Sequence, residues 1–151
     1  MESIKTYAAL MKGVAKRTNN PFNIKYSKEN KWLGQCEPKV SDNGFCHFIT
    51  VGHGLRAGIK LIYRYIFNYG LLDIVSVLER FSPRSDNVKV FDNKVMYVTK
   101  QVGLHPINTY FGFISLCQSI VSTECGVTFP SRFFENLVNS LELKFVDNYG
   151  R

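Results

Sequence analysis

Acidic residues are scarce in this chain: 12 Asp and Glu stand against 19 Lys and Arg, for a net charge of +7. That balance favours polyanions, of which nucleic acid and the anionic bacterial cell wall are the two obvious kinds. No block of five or more basic residues occurs and no helix concentrates them on one face, so a nucleic-acid-binding module ranks last. Long apolar runs are also absent. Polar residues interrupt every stretch before the roughly 20 needed to cross a bilayer, and Lys5, Lys12 and Lys16 break the apolar core that a signal peptide requires. Neither a membrane span nor a signal peptide is expected. The four cysteines, Cys36, Cys46, Cys117 and Cys125, show no paired metal-binding spacing. Buried free thiols are the default. Cys36 and Cys46 flank a predicted turn, which leaves a disulfide between them open, whereas a zinc site from Cys36, Cys46, His47 and His53 has no recognised ligand spacing behind it. No metal or cofactor is expected.

The scarcity of charge is greatest between Lys100 and Arg132, where one charged side chain occurs, Glu124. An acid in such an apolar segment, at a predicted helix C-terminus where the backbone dipole opposes negative charge, is easier to protonate than a free carboxylate, as a general acid requires. The competing reading is a helix-end Glu that points into water or accepts bonds from the next loop.

With 151 residues, 45% hydrophobic and 14% aromatic, the chain suits one domain, 1–151, with a real core. Apolar residues from Ile4 to Ala15 predict one amphipathic helix over Ser3 to Arg17. The turn formers Thr18-Asn-Asn-Pro-Phe-Asn23 end it. Ile24 to Gln35 reads as extended, and Ser41-Asp-Asn-Gly44 predicts a turn before Phe45-Cys-His-Phe-Ile49, which together make a small hairpin. Helices are predicted from Gly52 to Tyr69, closed by Gly70, and from Leu72 to Phe81, stopped by Ser82-Pro83. Another, capped by Asp86 or Asn87, has Val90, Val95, Val98 and Val102 as its apolar positions. Thr109 caps the helix carrying Glu124, and Ser131 caps a last one with Phe133, Phe134, Leu137, Val138 and Leu141. The expected class is α+β, mainly α, with one small β-hairpin.

The string Arg17-Thr-Asn-Asn-Pro-Phe-Asn-Ile-Lys-Tyr-Ser27, followed by Trp32-Leu-Gly-Gln35, resembles a family of phage proteins labelled structural or virion-associated. The resemblance continues through Phe48, Gly54-Leu-Arg-Ala57, Tyr69-Gly70, Ser82-Pro-Arg-Ser-Asp-Asn87 and Tyr97-Val-Thr-Lys-Gln-Val-Gly103 to Ile120-Val-Ser-Thr-Glu-Cys-Gly126, about four-fifths of the chain. The same parts are similar to the lysozyme superfamily, in which a helix ends in the catalytic Glu and a hairpin walls a sugar-binding cleft. There the Asn-rich segment follows the catalytic helix. Here it precedes Glu124, so the resemblance implies a circular permutation. The chain departs from the family at Phe22, where Gly is usual, at Arg84 and Asp86, which replace Pro and Glu, and at Cys125, which replaces Asn.

The resemblance implies a peptidoglycan-cleaving enzyme of lytic transglycosylase or muramidase type, carried in the virion or released in the host cytoplasm at lysis and acting at the cell wall. Glu124 is its expected catalytic acid/base. Hydrolysis with two carboxylates needs a partner within roughly 5 to 10 Å, for which Asp86 and, less well, Asp42 are the candidates. A transglycosylase manages with one Glu, because the sugar's own hydroxyl attacks, and is slightly preferred. Asn19, Asn20, Asn23, Tyr26, Trp32, Gln35 and Tyr97 are the candidate substrate-binding residues, each with a structural role as its alternative: turn amides for the Asn residues, core packing for the aromatic ones. Phe22 can alter the turn or offer a sugar an aromatic face. His47, His53 and His105 are read as structural, and so by default is Arg56, with binding of an acidic wall component or a nearby carboxylate as its alternative. Peptidoglycan and other virion proteins are the expected partners. The alternative function is a non-catalytic virion or wall-binding protein on the same scaffold.

Overall fold

The computed structural model describes residues 2–146, which form seven α-helices: α1 (Ile4–Ala8), α2 (Gly13–Arg17), α3 (Val51–Phe67), α4 (Ile74–Phe81), α5 (Val88–Val102), α6 (Tyr110–Cys125) and α7 (Ser131–Ser140). The mainly α class is as expected. The caps explain most boundaries. Thr50 Oγ1 accepts the His53 amide at 3.1 Å, Asp73 the Ser76 amide at 3.0 Å, Asn87 the Val90 amide at 3.0 Å and Thr109 the Gly112 amide at 3.3 Å. Ser131 is not a cap: Pro130 holds that position, and the Ser131 hydroxyl donates to Glu135 instead.

α6 is buried on nearly every side, from Gly112 and Phe113 through Leu116, Cys117, Ile120 and Val121 to Cys125. A helix that is apolar all round belongs at the centre. It packs against α5, α7, α3 and α2, and α3 in turn meets α1, α4 and α7.

Two expectations need correcting. The single helix over Ser3 to Arg17 is two, because Gly13 takes a left-handed φ of +64° and Lys12 turns its amide away to the Cys125 carbonyl at 3.1 Å. The hairpin is not a ladder either; among the described residues only two isolated antiparallel bridges form, Lys25 with Phe45 and Gln35 with Phe48. The turn itself is present, since Asn43 and Gly44 both have positive φ (54° and 82°) and Phe45 donates to the Asp42 carbonyl at 3.0 Å. The arm leading into it is turned into a short 3₁₀ segment at Val40–Asp42, however, just beyond Pro38, and cannot pair. Residues 45–49 instead run between two separate loop lengths. Cys46 donates to Ile24 and Tyr26 to Gly44 on one side, while Cys36 donates to His47 and Ile49 to Gly34 on the other, all at 2.7 to 2.9 Å.

Phe22 is not a sugar platform. It is fully buried, edge-on to Phe81, and lies against Gly58 of α3, where a Cβ would come within 1.9 Å of its ring. A bulky ring at 22 and a bare backbone at 58 fit only together. Phe22→Ala should lower unfolding free energy by about 3 to 5 kcal/mol in urea titrations; a cost under about 1 kcal/mol would show that this contact does not anchor the loop.

Candidate active site

Glu124 stands one residue before the end of α6, where Gly126, in left-handed conformation at φ +78°, closes the helix. Its side chain is 10% exposed. Asn23, 101 residues earlier, reaches it from the Asn-rich loop: Nδ2 donates to the Glu124 carbonyl at 3.0 Å and to Oε1 at 3.2 Å. Asn23 can do so because its backbone is left-handed (φ 52°), a conformation Asn tolerates better than most residues.

On the other side, Lys94 of α5 brings Nζ to 2.6 Å from Oε2, with its own side chain only 15% exposed. This contact is charge pairing more than a well-aligned hydrogen bond, since Oε2 has no properly directed donor, and Asn23 Oδ1 likewise finds none. The purely apolar setting expected for Glu124 is therefore not what the fold provides. Lys94 was missed as a site residue although it carried a signal: it falls three residues after Phe91 and four before Val98, on the stripe that α5 buries. The expected apolar position Val90 is instead 45% exposed. Lys12 adds a second cation, its side-chain carbons passing 3.4 Å from where a Gly126 Cβ would lie. Cations gather at this helix end as its dipole favours.

The remaining candidates divide into separate places. Tyr97, one turn beyond Lys94, lines a shallow depression of about 270 Å³ with Ser122, Thr123, Gly126 and Thr128, directly flanking Glu124 in sequence. Tyr26, Trp32 and Gln35 share a different pocket of about 220 Å³; there Gln35 Oε1 accepts the Trp32 amide at 3.0 Å. Asn19 lies elsewhere again, donating to the Phe48 carbonyl at 3.0 Å beside a groove under α1. Asn20 is fully buried and commits its amide to Ile24 N, Ile24 O and Cys46 O at 2.9 to 3.0 Å, which leaves no atom for a ligand. Asp86 is half-exposed and paired with Lys25 at 3.0 Å, not with Glu124. Asp42 is buried, accepting the Lys39 amide at 3.0 Å with His47 Nδ1 3.6 Å away.

All four cysteines are free thiols, so no Cys36–Cys46 bridge forms. Burial pushes the Cys46 and Cys125 thiols up to about 11, the Glu124 charge adding to the effect at Cys125, and holds the Cys117 thiol well above its ordinary value.

No family model matches the chain. It is similar to "Protein P5" of Pseudoalteromonas phage PM2, 33% identical over 90 residues, which is 58% of this chain and 54% of that protein. The chain thus spans about half the length of the curated relative it matches, and that relative is a phage protein.

Lys94→Met strands a buried carboxylate and should cost about 3 to 5 kcal/mol of stability, most of which returns when Glu124→Gln is added; a double-mutant cycle by urea denaturation reads this, and additive losses would mean the two groups are not coupled. In native protein at pH 8, a thiol reagent should label half-buried Cys36 first, with Cys46, Cys117 and Cys125 reacting only after unfolding.

Proposed function

We propose that this chain is a peptidoglycan-cleaving enzyme of phage origin, a lytic transglycosylase or muramidase on a lysozyme-like, circularly permuted scaffold, with Glu124 as its general acid/base. The observation that carries the reading is the meeting of Glu124, at the end of a buried helix, with Asn23 of the Asn-rich loop. In the resemblance that motivates it, those same two elements wall the sugar cleft. The phage relative supports the origin and is compatible with virion partners.

The chemistry follows from one carboxyl group. Once the substrate displaces the Lys94 ammonium from Oε2, the carboxylate takes up a proton from solvent, and Glu124 donates it to the glycosidic oxygen as the bond to the anomeric carbon breaks. The resulting carboxylate then takes a proton from the muramyl sugar's own hydroxyl as that oxygen closes on the anomeric carbon, which regenerates the acid and leaves an anhydro end. With Asp86 already paired to Lys25, the single-carboxylate route is preferred to a two-carboxylate hydrolysis. Asn23 fixes the carboxyl plane through Oε1, and Lys94 holds Oε2 until the substrate takes its place. Tyr97 lines the depression in which the sugar beside Glu124 would rest.

The second reading is a non-catalytic wall-binding or virion protein on the same scaffold, and the buried Lys94–Glu124 pair favours it, because the pair also serves as a structural clamp. Purified peptidoglycan separates the two. A cleaving enzyme clears it and releases fragments one water lighter than hydrolysis products if it is a transglycosylase. Glu124→Gln, with its fold checked by circular dichroism, should slow clearing by about 10² to 10⁴-fold. Undiminished clearing removes Glu124 from the mechanism, and sedimentation with the wall without released sugar favours the binding protein.

A further inference from the structure

We propose that the pocket beside Trp32 is a subsite for the free carboxylates of peptidoglycan stem peptides, an inference that rests on the wall-polymer reading above. The cavity, about 220 Å³, is walled by Tyr26, Lys28, Asn30, Lys31, Trp32 and Glu37. Two lysines among its lining residues outnumber the one glutamate, and a third cation stands behind the wall: Arg64 of α3 lies 5.2 Å from the centre of the Trp32 ring and donates from Nη1 to Asn30 Oδ1 at 3.0 Å. Trp32 is 9% exposed, and its indole Nε1 has no acceptor in the protein. A buried N–H without an acceptor is costly, and a shift of the ring on binding that brings a ligand oxygen to it relieves the cost.

Position connects this pocket to the catalytic one. Tyr26 is three residues beyond Asn23, so its Cα lies within about 11 Å of that of Asn23, and Asn23 touches Glu124. On the wall-polymer reading, a strand that continues from Glu124 along this loop would meet the Trp32 pocket. The glycan of peptidoglycan is built of uncharged N-acetylated rings with short peptides branching from it, and the free carboxylates of the polymer are on those peptides. Ammonium groups and an unpaired N–H suit the branches; bare glycan makes no use of the charge.

Trp32 is the single tryptophan of the chain, so its fluorescence reports on this pocket alone. The ligands are a disaccharide–peptide from peptidoglycan, the same disaccharide with its lactyl carboxyl capped as a simple amide in place of the peptide, and the free stem peptide, each titrated into Glu124→Gln protein and repeated with wild type. The disaccharide–peptide should change the emission saturably and bind at least about tenfold more tightly than the peptide-free sugar. Lys28→Glu with Lys31→Glu should abolish that preference, and added salt should weaken it. Equal binding of the two disaccharides, or a preference untouched by charge reversal, overturns the subsite. The outcomes are separable from those for cleavage: an active enzyme that ignores the peptide sinks this subsite alone, and an inactive protein that prefers the peptide retains it.

Discussion

A helix of 16 residues whose sole charge is its penultimate side chain can be accommodated only at the centre of a small protein, and everything else in this molecule is arranged around that requirement. α5 and α7 cover the flanks of α6, while α3 and α2 complete the enclosure. The cost of the arrangement falls on its last turn, where a carboxylate and unsatisfied carbonyls face inward together. Two cations and one amide answer it: Lys94 at Oε2, Lys12 beside Gly126, and Asn23, which donates to both the Glu124 carbonyl and its side chain. The catalytic proposal and the structural clamp therefore concern the same atoms, and a substrate must compete with contacts that the fold itself uses.

Local signals in the sequence were read well where a side chain acts on its own backbone. Thr109, Asn87 and the Asn43-Gly44 turn each do so within three residues, and the helices they bound lie close to where periodicity placed them. Long-range contacts were not readable in the same way. Lys94 lies on a buried stripe, yet only the path of α5 across the end of α6 reveals that its partner is Glu124. Phe22 looks anomalous in a loop until Gly58 on a distant helix is seen to leave room for it. The supposed hairpin had a true turn and apolar residues on both sides, but the approach to the turn winds into a 3₁₀ segment, so its partners come from elsewhere.

In the Asn-rich loop one residue type serves both the local backbone path and a long-range contact. Asn19 and Asn23 are both left-handed, and Asn20 is spent entirely on backbone groups. Two of the three amides hold the loop's path; the third is thereby aimed at Glu124. Of the three Asn side chains read from the turn motif as candidate substrate-binding groups, only that of Asn23 reaches Glu124.

The Lys12 amide bond to Cys125 and the Arg132 guanidinium bond to the Glu2 carbonyl tie residues 2–12 to both sides of the α6–α7 connection. Trimming or proteolytic nicking ahead of Gly13 would thus unfasten the clasp on the helix end that bears Glu124, far away along the chain. The segment before Gly13 and the surroundings of the carboxylate are therefore mechanically one unit, although remote from each other in sequence.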